Sequence, residues 1–160
     1  MDRIPLIQFD HFTFKYASQK ETTLKDINLT LYEGEKVLIL GQSGSGKSSL
    51  IHCINGLIPF SFSGVITGSL KVAGMETQHA SIFALSKQVG TVLQDSDAQF
   101  VALSVEEDIA FALENQAIMR SDMIPLVLKA ADKVSMTDFL KQAPFNLSGG
   151  QKQKVALAGV

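Results

Sequence analysis

The sequence predicts an α/β fold organised around one glycine-rich loop. Three observations predict it: the unbroken apolar run at residues 37–40, the glycine- and serine-rich segment directly after it, and apolar residues at helical spacing after that segment. An apolar run without alternation is typical of a short strand covered on both faces of a parallel sheet. Strand, loop and helix therefore follow one another without a break.

Strands are also predicted on both sides of this unit. Apolar and polar residues alternate at 12–16 and at 27–31, which predicts two half-buried strands, and residues 33–35 form a turn. After the first helix, residues 59–68 predict a Ser/Gly-rich loop, Leu70 and Val72 an edge strand, and residues 89–93 a second buried strand.

The second half of the chain is predicted to be mainly helical. Ser104 followed by Glu107 is a capping box, and it opens a helix with an apolar face. Another helix is predicted to begin near Asp122, and a third resumes after Gly150.

Composition indicates one globular domain and excludes some partners. The chain has 160 residues, 46% of them hydrophobic, and a net charge of −2, so it lacks the basic surface that nucleic acid requires. It has no signal sequence and no membrane-spanning apolar stretch, so a cytoplasmic location is expected. Cys53 is predicted to be a buried core residue, and His11, His52 and His79 have no metal-site spacing.

The glycine-rich loop carries the motif G-x-x-x-x-G-K-S. Its glycines let backbone N–H groups turn inward as an anion nest, and the following helix adds its free N–H groups and positive dipole end. Lys47 can reach the β- and γ-phosphates, and the Ser48 hydroxyl can ligate Mg²⁺. A Gly/Ser turn that precedes a lysine by chance is the alternative. The candidate phosphate-binding residues are Gly41, Gln42, Ser43, Gly44, Ser45, Gly46, Lys47, Ser48 and Ser49.

A second motif narrows the class of phosphate-binding protein to which the chain could belong. Arg3 and Arg120 are the only arginines and lie in no motif, which disfavours small-molecule kinases. Residues 147–153, LSGGQKQ, place a serine hydroxyl and two glycine amides at a helix N-terminus, a second anion-binding end. Taken alone, this motif is equally well explained as a helix cap with a glycine turn.

Together the two motifs make the sequence resemble the ATP-binding cassette (ABC) family over essentially the whole chain. The resemblance implies a P-loop NTPase fold that binds ATP and Mg²⁺ and is C-terminally incomplete. It implies a RecA-like nucleotide-binding core with an antiparallel β-subdomain over residues 1–93. An α-helical subdomain that opens with the glutamine-containing Q-loop follows over 94–148, and the signature helix occupies 149–160.

The resemblance also implies residue roles. Tyr16 matches the aromatic that stacks on adenine, although a half-buried strand tyrosine remains an alternative. Lys47 and Gln94 match catalytic residues, and Gln94 would touch Mg²⁺ and the attacking water. The signature contacts the γ-phosphate bound to the opposite subunit, so a second ABC ATPase domain is an implied partner. The signature residues are Ser148, Gly149, Gly150 and Gln151.

The segment at 93–115 is similar to that of energy-coupling-factor (ECF) importer ATPases. This likeness implies a transmembrane transporter subunit as partner, a peripheral location on the inner face of the cell membrane, and import of a micronutrient. The alternative is that the acids simply favour the dipole of a helix's first turn. The residues expected to face the transporter are Asp97, Gln99, Glu106, Glu107 and Asp108.

The family's general-base glutamate has no match within the 160 residues. We therefore expect the chain to bind ATP without hydrolysing it, and expect residues 37–40 or 89–93 to have unpaired strand edges. Two other function classes remain open: a soluble ABC ATPase acting on DNA or ribosomes, and a nucleotide-binding protein without turnover.

Overall fold

The computed structural model describes residues 3–95 and 97–160. These residues form two compact units, one that ends at Gly90 and one that begins at Thr91. The first unit holds the β-sheet and the glycine-rich loop, and the second is mainly helical.

The first unit is built on an antiparallel sheet with strand order β2-β1-β3-β4. The strands are β1 (Pro5–Tyr16), β2 (Leu24–Tyr32), β3 (Gly64–Val72) and β4 (Met75–Glu76). The predicted strand pair is confirmed, since β1 pairs with β2 from Pro5↔Tyr32 to Phe14↔Leu24. The three phenylalanines of β1 are buried in the core of this unit, and the register shift between Phe9 and Phe12 compensates for their odd spacing.

Strand β3 begins inside the segment predicted as a loop. The strand extends back to Gly64 because β1 is long enough to pair with it there, at Tyr16↔Gly64. A Cβ at position 64 would collide with the Lys15 carbonyl and the Phe14 ring, so glycine permits this close approach. The Ser/Gly-rich composition therefore reflects tight strand packing over residues 64–68 as well as a turn.

Helices α1 (Lys47–Ile54), α2 (Leu57–Phe60) and α3 (Ile82–Ser86) complete the first unit. The helix predicted after the glycine-rich loop is confirmed as α1. Cys53 lies on α1 and is buried, as predicted, and burial raises the pKa of its thiol to about 12. Buried side chains shared by the sheet and these helices include Phe12, Phe14, Cys53, Ile58, Leu70 and Leu85.

The two predicted parallel strands are wrong. Residues 37–40 form no strand and are exposed, with Leu38 at 79% and Leu40 at 80% exposure, and residues 89–93 also form no strand. A strand needs a neighbouring strand for its N–H and C=O groups, and neither run belongs to the four-stranded sheet of the described residues. Because neither run is a strand, the expected unpaired strand edges are not observed.

The second unit packs helices α4 (Val105–Asn115), α5 (Arg120–Lys133) and α6 (Gly149–Ala158) around an apolar core. The predicted helices are confirmed, although α5 begins at Arg120 rather than at Asp122. Single 3₁₀ turns occur at Asp97–Gln99, Thr137–Phe139 and Pro144–Asn146. In the described part of the chain, every helix is too short or too polar to cross a membrane. Core residues include Val105, Ile109, Val127, Ala131, Met136 and Val155.

Candidate functional site

The glycine-rich loop has the backbone that its sequence predicts. Gly44 and Gly46 take positive φ angles of 80° and 95°, a region that residues with a Cβ rarely adopt. A Cβ on Gly46 would also lie 3.1 Å from the Leu24 side chain and 3.2 Å from the Thr23 carbonyl oxygen. Conformation and close packing therefore both require glycine at position 46.

The Lys47 side chain closes the loop. Its Nζ donates to the carbonyl oxygens of Gly41, at 2.8 Å, and Gln42, at 2.7 Å. An ammonium group has three N–H donors, so one remains for an anion. Lys47 is also the first residue of α1, and Gly46 caps this helix without a side-chain hydrogen bond. Free backbone N–H groups, the positive end of the helix dipole and an ammonium group thus meet at this loop.

The two serines after Lys47 differ in environment. Ser48 is exposed, whereas Ser49 is buried and its hydroxyl lies 2.8 Å from the Tyr16 hydroxyl. Mg²⁺ binds few protein oxygens and keeps several of its waters, so an accessible neutral hydroxyl beside a phosphate-binding loop fits it. The exposed hydroxyl of Ser48 could therefore hold the ion, as predicted from the motif.

Tyr16 lies beside the loop through its bond to Ser49. Its ring packs edge to face with Phe14, at 4.7 Å between centroids, and with Phe62 at 6.4 Å. Phe62 also stacks on His52 of α1 at 5.0 Å, and sequence reasoning missed it. The alternating aromatics of the PFSFSG segment were the available signal. Adenine stacking by Tyr16 stays a prediction.

Gln94 lies in the second unit, exposed at a bend. The Gln99 side chain, which was predicted to face a partner, accepts a hydrogen bond from Leu93 N at 3.0 Å. Ser96 and the side chain of Asp97 lie outside the described residues, so the prediction for Asp97 has no structural counterpart.

The prediction for Asp108 is wrong, because this carboxylate is 9% exposed and cannot line a partner surface. Its Oδ1 accepts the backbone N–H groups of Val101, at 3.0 Å, and Ala102, at 3.3 Å. Glu106 is engaged with Lys141 at 2.6 Å, and Glu107 closes the capping box of α4 by accepting from Ser104 N. Each of the three acids thus has a partner within the second unit.

The signature residues form the start of α6. Ser148 is the N-cap and accepts from Gln151 N at 3.4 Å, while Gln151 accepts from Ser148 N at 2.8 Å. This is a complete capping box. Gly149 and Gly150 are exposed, and no atom lies within 4 Å of where a Cβ would be at either position. Their amides are therefore accessible to a ligand from outside.

A family comparison decides what these motifs belong to. The model of the ABC transporter family matches residues 24–160, which include the glycine-rich loop, Gln94 and the LSGGQ motif. The chain belongs to the ABC transporter family. ATP-binding proteins of this family are ATPases, and the P-loop NTPase fold predicted from the sequence is confirmed.

Curated relatives agree with this membership. A putative ABC transporter ATP-binding protein of Bacillus anthracis is 54% identical over 156 residues, and one of Enterococcus faecalis is 56% identical over 156 residues. The alignment covers 98% of this chain in each case. This chain spans about 28% of the length of these relatives.

A solved structure has the same fold. CbiO1 of Clostridium perfringens, described as part of the ABC transporter complex CbiONQ, matches with a TM-score of 0.85 and 27% sequence identity. The match covers 98% of this chain and 61% of CbiO1.

Proposed function

We propose that this chain is the ATP- and Mg²⁺-binding part of an ABC importer ATPase of the ECF type. The observation that supports this proposal most directly is the glycine-rich loop. Lys47 bridges two carbonyl oxygens of this loop and keeps one N–H donor for a phosphate. Ser48 is the proposed Mg²⁺ ligand of the first unit, and the family resemblance supports Gln94 as a Mg²⁺ ligand of the second unit. Mg²⁺ would neutralise charge on the β- and γ-phosphates.

The proposed partners follow from the two exposed motifs and the CbiO1 likeness. Ser148 and the amides of Gly149 and Gly150 would contact the γ-phosphate held by a second ABC domain. Gln99, Glu106 and Glu107 remain candidates for contact with a transmembrane subunit, at the inner face of the membrane, and a micronutrient is the proposed cargo. CbiO1 is itself part of a transporter complex, which supports this assignment.

We further propose that residues 1–160 bind ATP without steady-state hydrolysis. Hydrolysis needs a carboxylate that polarises water beside the γ-phosphate. The family's general-base glutamate has no match among these residues, and the acids at the start of α4, Glu106 to Asp108, are held by Lys141, by the capping box and by the backbone of 101–102. No phosphate release above background is expected from the isolated chain.

The test is nucleotide binding by the 160-residue chain and its Lys47→Ala variant, measured by calorimetry with ATP and Mg²⁺. We expect Lys47→Ala to weaken ATP binding about 10- to 100-fold, because a charge-assisted hydrogen bond contributes about 1.5–3 kcal/mol. Lys71→Ala is the matched control, since it removes the same charge from an exposed position on β3. Equal ATP affinities in the two variants would show that the loop does not bind the triphosphate.

A further inference from the structure

Two side chains of the second unit hold the backbone on either side of Gln94. The Gln99 Oε1 accepts the N–H of Leu93, the residue directly before Gln94, at 3.0 Å. Farther along, Asp108 Oδ1 accepts the N–H groups of Val101 and Ala102. The segment 93–102 is therefore tied at its start by its own Gln99 and at its end by helix α4.

The two ties are connected through the half-buried ring of Phe100. Phe100 lies between Gln99 and Val101 and packs against the core cluster that contains Val105 and Ile109 of α4. Asp108 is itself on α4 and 9% exposed, so water competes little for its oxygen. Helix α4, Phe100 and Gln99 thus form a continuous support that ends at the Val92–Leu93 peptide, one residue before Gln94.

We propose that Gln99 and Asp108 are positioning residues for Gln94, a role that rests on the function proposed above for Gln94. A glutamine that orients the attacking water must be placed to within a fraction of an ångström, and a misplacement of about 1 Å can cost about 100-fold in rate. Gln99 fixes the Leu93 peptide directly. Asp108 fixes the other end of the segment, at residues 101–102, and so helps to hold Gln99 in position beside Leu93.

The experiment compares steady-state ATP hydrolysis in the full-length protein, with ATP and Mg²⁺ as the only added ligands. Gln99→Met keeps the length of the side chain and removes the acceptor, and Gln99→Glu keeps an acceptor oxygen. We expect Gln99→Met to lower kcat about tenfold with KM for ATP within about twofold, and Gln99→Glu to restore most of kcat. Gln116→Met, at an exposed position just after α4, is the matched control and leaves both constants unchanged.

A double-mutant cycle separates positioning from general stabilisation. If Gln99 acts through Gln94, adding Gln99→Met to Gln94→Ala lowers kcat by less than about twofold further. A further tenfold loss in that background would overturn the proposal, as would an unchanged kcat in Gln99→Met alone. Asp108→Asn, which keeps the acceptor, is expected to retain kcat, whereas Asp108→Ala lowers it as Gln99→Met does.

The same cycle distinguishes this proposal from the function on which it rests. If Gln94→Ala itself leaves kcat unchanged, the role proposed for Gln94 is wrong and the positioning role is overturned with it. If Gln94→Ala lowers kcat and Gln99→Met does not, only the positioning role is overturned.

Discussion

His11 and Asp26 hold an irregular stretch of the β1–β2 pair through an exposed ion pair. Both residues have left-handed φ angles, 45° and 47°, where the register between β1 and β2 shifts. His11 Nδ1 lies 2.7 Å from Asp26 Oδ1, and the His11 N–H donates to Asn28 Oδ1. The hydrogen bond to Asp26 raises the pKa of His11 above 6.5, and the bond to His11 lowers the pKa of Asp26 below 3.8.

The ion pair predicts a pH window. The contribution of His11 to stability is complete below pH 6.5 and is lost as the pH rises through its raised pKa. The contribution of Asp26 is present above pH 3.8 and is lost as the pH falls through its lowered pKa. The stability deficit of Asp26→Asn in urea titrations should therefore be largest near about pH 5 and shrink above about pH 7.

NMR titration of His11 provides the direct measurement. In Asp26→Asn the pKa of His11 should fall towards 6.5, while Asp10→Asn should lower it less, because Asp10 is the weakest of the groups that raise it. A pKa unchanged by Asp26→Asn would contradict the pairing.

Asp108 shows what single-residue reasoning could and could not recover. The resemblance to ECF importer ATPases placed Asp108 on a partner surface, but Val105, Asp108 and Ile109 have the i, i+3, i+4 spacing of one helix face. That face is buried, so the burial of Asp108 could be predicted from the periodicity. Its bonds to the backbone of 101–102 could not, because they depend on how the preceding loop folds back.

At the level of elements, the two capping boxes are the most reliable features of the sequence. Ser104 and Glu107 form the reciprocal hydrogen bonds that their spacing predicts, and Ser148, predicted as a helix cap, forms the same pair of bonds with Gln151. Local hydrogen bonds of this kind depend on residues three apart, and therefore they are encoded locally. Strand β3 was harder, because its start at Gly64 is set by pairing with β1, 48 residues earlier at Tyr16.

The capping boxes provide matched variants for testing the signature. Ser104→Ala and Ser148→Ala each remove an N-cap oxygen, so each should lower the free energy of unfolding by about 1 kcal/mol in urea denaturation. Only Ser148 is proposed to contact a phosphate, and loss of such a donor costs about 100-fold in kcat. ATP hydrolysis by the full-length protein should therefore fall in Ser148→Ala and stay near wild type in Ser104→Ala. An equal loss of activity in both variants would show that Ser148 acts only as a helix cap.

At the scale of the whole molecule, the structure of residues 37–40 differs from what their apolar sequence pattern predicts. The run has the composition of a buried strand, yet its four side chains are between 37% and 80% exposed. A run of apolar residues indicates that a segment needs burial on both faces, but neighbouring strands and helices must provide that burial. The order of loop and helix, by contrast, requires only neighbouring residues, and the helix that follows the glycine-rich loop was predicted correctly for that reason.

This exposed run should make the 160-residue chain associate with itself. Adjacent apolar side chains with unpaired backbone groups favour intermolecular contact. We expect sedimentation velocity to show concentration-dependent association over about 1–100 μM, and the double variant Leu38→Ser/Leu40→Ser to reduce it. Because both leucines are about 80% exposed, the variant should unfold at nearly the same urea concentration as wild type.

The control is the double variant Ile4→Ser/Val65→Ser, which removes two separate exposed apolar side chains, at 59% and 63% exposure, and should leave association unchanged. A wild-type chain that stays monomeric throughout, or equal association in the two double variants, would show that the run at 37–40 does not drive contact.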